Sequence, residues 1–283
     1  MKQLTCIAII IAFAYALPAN NLAAQSSDKD AKPMEAQAES KADEKSKPSA
    51  AKENAKKDKP SPWVFEPNPD LPNVLIIGDS ISMGYSLQVR KQLKKHANVY
   101  RPTRINERNG KLVPENCQGT TLGLQKIDDW LGDRKWAVIH FNFGLHDLKH
   151  VVEPGSSKNS QNPEAPLQAT VEQYAKNLEQ IVEKLKQTQA RLVFATTTPV
   201  VPDVNGVPRE PDSPPKYNAA ALEIMKANKI RVNDLFAFCL PHLSQWQRPR
   251  DVHFKRQGSS EFAKQVAKVF REELEIAKNE HSE

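Results

Sequence analysis

A serine near one end of the patterned part of this chain, and an aspartate and a histidine near the other, have the side-chain types needed for nucleophilic catalysis. Ser80 closes the block Val74-Leu75-Ile76-Ile77-Gly78-Asp79-Ser80, and Asp251 and His253 lie in Arg250-Asp251-Val252-His253-Phe254. A serine hydroxyl attacks poorly until a base takes its proton, and an imidazole is the usual base. Of the seven histidines, His253 is the best placed, immediately before the final helical pattern. Side chains at i and i+2 of an extended segment share a side. Asp251 is therefore expected to accept from one ring nitrogen of His253 and leave the other for Ser80. An Asp or Ser at this point also suits an ordinary helix cap, and Asp79 is expected to fix the turn by accepting backbone N–H groups.

These residues need elements that bring them together. The apolar run before Gly78 suits a strand buried on both faces, with a helix beginning near Ile81. Further strand patterns fall at 99–101, 137–141, 191–196 and 230–232. Helical patterns fall near 81–96, 121–132, 170–189, 216–228 and 257–278. Such alternation predicts one α/β domain with a mostly parallel sheet, its right-handed crossovers placing helices on both faces. Ser80 then sits at a strand's carboxyl end, where open α/β sheets bind ligands, and beside the orphan N–H groups of a helix start. Two long connections, 151–169 and 199–215, rise from the same face and are candidates for a substrate-contacting rim.

Composition bounds the rest of the chain. Residues 1–24 combine Lys2, an apolar stretch from Ile7 to Leu17 and small residues at Ala23 and Ala24, the pattern of a signal peptide too short to span a membrane. Export is expected, with no integral membrane domain. Residues 25–62 are almost all Lys, Glu, Asp, Ala, Ser, Gln and Pro, too polar to offset ordering entropy, and read as a disordered linker. The folded domain is then 63–283. The net charge of +6 is spread without like-charge blocks, so no nucleic-acid partner follows from it. Beyond the signal peptide only Cys117 and Cys239 remain. An oxidising compartment permits their pairing, though nothing in the spacing places them together. With no Cys-x-x-Cys and no clustered Cys and His, no structural zinc site is expected.

In order and spacing, four blocks resemble the SGNH hydrolases, also called the GDSL esterase/lipase family, over roughly residues 72 to 275. Gly78-Asp79-Ser80 matches the nucleophile block. Asn116-Cys117-Gln118-Gly119-Thr120-Thr121 is similar to the second block, with Gly119 in the place of an oxyanion-hole glycine. Ile139-His140-Phe141-Asn142-Phe143-Gly144-Leu145-His146-Asp147 occupies the third, and His253 matches the catalytic histidine of the last. Two positions depart from the pattern. His146 stands where the family has an oxyanion-donating asparagine, so either His146 or Asn142 completes the hole. Arg250 stands where the family has its acid, and Asp251 follows one place later.

The resemblance implies a three-layer α/β/α sandwich with a flavodoxin-like sheet of about five strands. It also implies a serine esterase: Ser80 as nucleophile, His253 as base and then acid, Asp251 orienting the ring, and Ser80, Gly119 and His146 forming the oxyanion hole. No cofactor is implied, and the substrate would be a small-molecule or glycan ester. Export and polar loops favour acetyl groups on a carbohydrate. A catalytically silent SGNH-like domain that binds carbohydrate or envelope material, and a lipase-like acyl hydrolase, are the alternatives.

Overall fold

The computed structural model describes residues 60–280, so the expected signal peptide and all but the last three residues of the expected linker lie outside the described residues. Five strands form one parallel sheet: β1 (Asn73–Ile77), β2 (Asn98–Tyr100), β5 (Val138–Phe141), β6 (Arg191–Ala195) and β7 (Arg231–Asn233). Their spatial order is β2-β1-β5-β6-β7, every neighbouring pair parallel. Val74 to Ile77 of β1 and all four residues of β5 are buried, as the apolar run before Gly78 requires. The chain leaves β1 for the edge strand β2 and then returns across it to β5. This reversal makes a switch point, and the carboxyl ends of β1 and β5 there flank the ligand-binding crevice of such sheets.

Helices cover both faces. Helix α1 (Ser80–Gln92) packs on α7 (Arg256–Glu280), while α2 (Thr120–Leu131), α3 (Val171–Gln187) and α4 (Ser213–Ala227) pack in succession on one another. The His140 ring of β5 lies 5.8 Å from that of Phe270 on α7. Its neighbours Ile139 and Phe141 therefore point to the other helical layer. The result is the expected three-layer α/β/α architecture with a flavodoxin-like strand order.

Several boundaries differ from the pattern reading for identifiable reasons. Helix α4 starts at Ser213 and carries Pro214 and Pro215 in its first turn, where a proline's missing N–H costs nothing. A two-stranded antiparallel hairpin, β3 (Thr103–Ile105) and β4 (Leu112–Pro114), went unmarked because its strands are short and exposed or half-buried. Asn109-Gly110, with Gly110 at φ 64°, is the turn signal that marks it. The short helices α5 (Leu235–Cys239) and α6 (Leu243–Trp246) were likewise below the reach of periodicity. Cys117 and Cys239 are both buried and free, so the disulfide that an oxidising compartment permits is not made.

Candidate active site

Asp79 and Ser80 begin at the switch point. Asp79 caps α1 by accepting from Ile81 N at 2.9 Å, so Ser80 becomes the first helical residue, with its hydroxyl at the helix's positive end. Burial pushes the Asp79 carboxyl up from its ordinary value, opposed by the Ile81 N–H and by Arg209, His253 and Arg101. The carboxylate is thus a structural cap, as expected.

Ser80 Oγ lies 2.8 Å from His253 Nε2, and His253 Nδ1 lies 2.7 Å from Asp251 Oδ1. The fold thereby joins residues 173 positions apart. With Nδ1–H donated to Asp251, the Nε2 lone pair faces the serine hydroxyl, an arrangement that permits proton transfer from Ser80. The local path differs from the extended segment expected. Arg250 turns through φ 53°, and Asp251 Oδ1 also accepts from His253 N at 3.0 Å, an Asx-type turn. This turn lets an aspartate two positions before the histidine reach its ring. Burial raises the Asp251 carboxyl, but its bonds to the His253 N–H and ring, together with Arg248, outweigh that and hold it below its usual value.

Gly119 is the N-cap of α2, reached through Gln118 at φ 52°. Cys117 N donates to Gly78 O at 3.3 Å, which ties this segment to the turn that carries Ser80. A Cβ on Gly119 would stand 2.7 Å from Gln168 Oε1 and 2.9 Å from Asp147 Cγ, so only glycine fits. Asp147 holds the next residue in place. Its Oδ1 accepts from Thr120 N at 2.8 Å and Thr120 Oγ1 at 2.5 Å, while burial pushes its pKa to about 7. Gly144 adopts φ 144°, packed against Thr197, and turns the chain between Asn142 and His146.

The two oxyanion alternatives separate here. The Asn142 amide donates to Ala195 O at 2.7 Å and lines a small interior cavity with Asp79 and Tyr85, committed to the sheet. His146 stands near enough to His253 for their charges to interact. Burial lowers its pKa to about 3, with Lys149, Arg209 and His253 adding to the effect, so its ring is neutral. A neutral imidazole retains one N–H to donate. His150, the other histidine of this loop, is turned away, with Nδ1 2.5 Å from Ala165 O.

Two cationic residues went unmarked as parts of the site. Arg101 is buried and donates to Gly78 O at 3.2 Å, Glu115 O at 2.8 Å, and the hydroxyls of Ser82 and Ser86. It clamps the Gly78–Ser80 turn to the segment leading into Gly119. Its position at the end of a strand pattern was its only sequence signal. Lys149 is 3% exposed, and burial, then Arg209, lowers its pKa to about 8. Arg209, in the second long connection, donates through Nε to Leu145 O at 2.9 Å, and Asn205 N of that connection donates to Arg250 O at 2.7 Å. The 199–215 connection therefore touches both the His146 turn and the His253 turn.

The fold and this convergence of Ser, His, Asp and glycine blocks define an SGNH-type α/β domain. The chain belongs to the GDSL-like lipase/acylhydrolase family, which it matches over residues 76–260, and that family hydrolyses esters. The fold is similar to that of an acetyl xylan esterase, AlAXEase, at 14% identity and TM-score 0.53, covering 70% of this chain and 98% of that one. It is also similar to a lipase/acylhydrolase from Enterococcus faecalis, at 16% identity and TM-score 0.53, covering 70% and 95% respectively. A search of curated proteins finds no match in sequence. Among the described residues, no helix is long and apolar enough to cross a membrane.

Proposed function

We propose that the protein is an exported serine esterase that removes acyl groups, acetyl foremost, from a carbohydrate through an acyl-enzyme. The observation that carries this reading is the continuous path from Ser80 Oγ to His253 Nε2 at 2.8 Å and from His253 Nδ1 to Asp251 Oδ1 at 2.7 Å. His253 takes the Ser80 proton as Oγ attacks the ester carbonyl, and Asp251 steadies the imidazolium. The N–H groups of Ser80 and Gly119, with His146, donate to the tetrahedral oxyanion. His253 returns the proton to the departing sugar oxygen, and water then releases the acid by the reverse path. A carbohydrate ester is favoured by the groove beside Ser80, about 320 Å³, open and lined by Gln88 and Ser259 as well as by Ile81 and Phe254. One structurally similar protein is an acetyl xylan esterase, a compatible activity. Export rests on the signal-like residues 1–24.

The test is hydrolysis of 4-nitrophenyl esters by the purified protein. Acetate is expected to turn over fastest, and Ser80→Ala and His253→Ala to lower kcat by on the order of 10³-fold or more. No hydrolysis by wild type defeats the enzyme reading in favour of a silent binding domain. Activity that rises with acyl length points instead to a lipase.

A further inference from the structure

The groove that opens at Ser80 is lined by Arg248 and Arg256, with no carboxylate among its lining residues. Arg256 makes no ion pair among the described residues, and Arg248 only a 3.7 Å contact with Asp251 Oδ2. Lys149 and Arg209 stand deeper, beside His146, where the charges of Asp147 and of Asp79 and Asp251 respectively offset them. The neighbouring carboxylates lie off the groove: Asp79 caps α1, Asp147 holds Thr120, and Asp251 holds the His253 ring. Two arginines therefore face the groove beside Ser80, with a single distant carboxylate contact between them. A positive cleft with low-dielectric walls concentrates anions.

We infer that the ester this site cleaves belongs to an acidic glycan, one that carries a carboxylate or sulfate beside the acylated sugar. The inference rests on the esterase reading above and names its substrate class. Sugar hydroxyls suit Gln88 and Ser259. None of the exposed large apolar side chains, Val64, Ile105, Val152, Leu222, Leu240 and Ile276, lines this groove, which argues against an anionic lipid.

Acetylated oligogalacturonide, acetylated xylo-oligosaccharide of equal length and 4-nitrophenyl acetate distinguish the outcomes. At low salt, kcat/KM for the acidic substrate is expected to exceed that for the xylan substrate by about tenfold or more, and to fall several-fold in roughly 0.5 M NaCl, where charge is screened. Arg256→Gln is expected to lower the acidic-to-neutral ratio about threefold or more. Ser80→Ala protein, titrated with unesterified oligogalacturonide, is expected to bind it more tightly than unesterified xylo-oligosaccharide. Equal turnover of the two glycans, a salt-independent ratio, or preference for long-chain esters in anionic vesicles overturns the inference. Failure to hydrolyse even 4-nitrophenyl acetate defeats the esterase reading and this inference with it. Hydrolysis of that ester without acidic preference defeats this inference alone.

Discussion

His146 is one of two positions at which this chain departs from the block pattern it resembles, and its surroundings give the departure a chemical meaning. Held near pKa 3 by burial and by Lys149, Arg209 and His253, the ring stays neutral at ordinary working pH and offers one N–H. His146→Ala is expected to lower kcat on 4-nitrophenyl acetate by on the order of 10²-fold, and His146→Asn to restore most of it. An unchanged kcat in the alanine variant would remove His146 from the oxyanion hole. Asp251 tests the second departure. Asp251→Asn leaves the turn acceptor but loses the charge beside the imidazolium, and kcat is expected to fall roughly 10²–10⁴-fold with KM little changed. Ser80, Gly119 and His253 were legible because each lies in a block with its own spacing. The route by which Asp251 reaches the ring was not, since it depends on the left-handed turn at Arg250, a conformation that sequence pattern does not predict for arginine.

The elements around the site act through two junctions. Arg101, just past the end of β2, joins Gly78 O near Ser80 to Glu115 O near Gly119, and it is buried. Arg101→Met leaves these carbonyls and the Ser82 and Ser86 hydroxyls short of a charged donor. It is expected to cost about 2 kcal/mol or more in a denaturant titration. At the other junction, Gly119→Ala forces a methyl against Gln168 and Asp147. Its expected cost is about 1–3 kcal/mol, together with a loss of kcat that Thr120 variants would not share in full. The five parallel strands and five longer helices were readable, because buried strands are apolar runs and α3 and α7 carry strong amphipathic periods. The hairpin β3–β4 was not, because its strands are exposed or half-buried instead of buried apolar runs, and the helices α5 and α6 were not, because four or five residues hold less than two helical turns. Arg101 escaped notice for a related reason: a lone arginine reads as solvent-facing until the fold buries it.

At the scale of the whole molecule, the central sheet carries its own pH sensitivity in His140. This residue is fully buried in β5, and burial holds its pKa at about 3. Unfolding lets it protonate near 6.5, so its contribution to stability is complete above that pH and is lost progressively as pH falls toward 3. Relative to His140→Gln, the wild-type protein is expected to lose up to about 1.4 kcal/mol per pH unit across that window, as read by denaturant midpoints at several pH values. A pH-independent difference would mean that the ring is charged in the fold. The same sheet sets the active geometry, since its switch point between β1 and β5 carries Ser80 and the His146 turn, while His253 arrives from the start of α7. Whether these parts form one working nucleophile is most directly measured by reacting the purified protein with a fluorophosphonate and mapping the adduct by peptide mass spectrometry. The account predicts one adduct, on Ser80, that is abolished in Ser80→Ala and strongly slowed in His253→Ala. A protein that stays unlabelled, or is labelled at another serine, would contradict it.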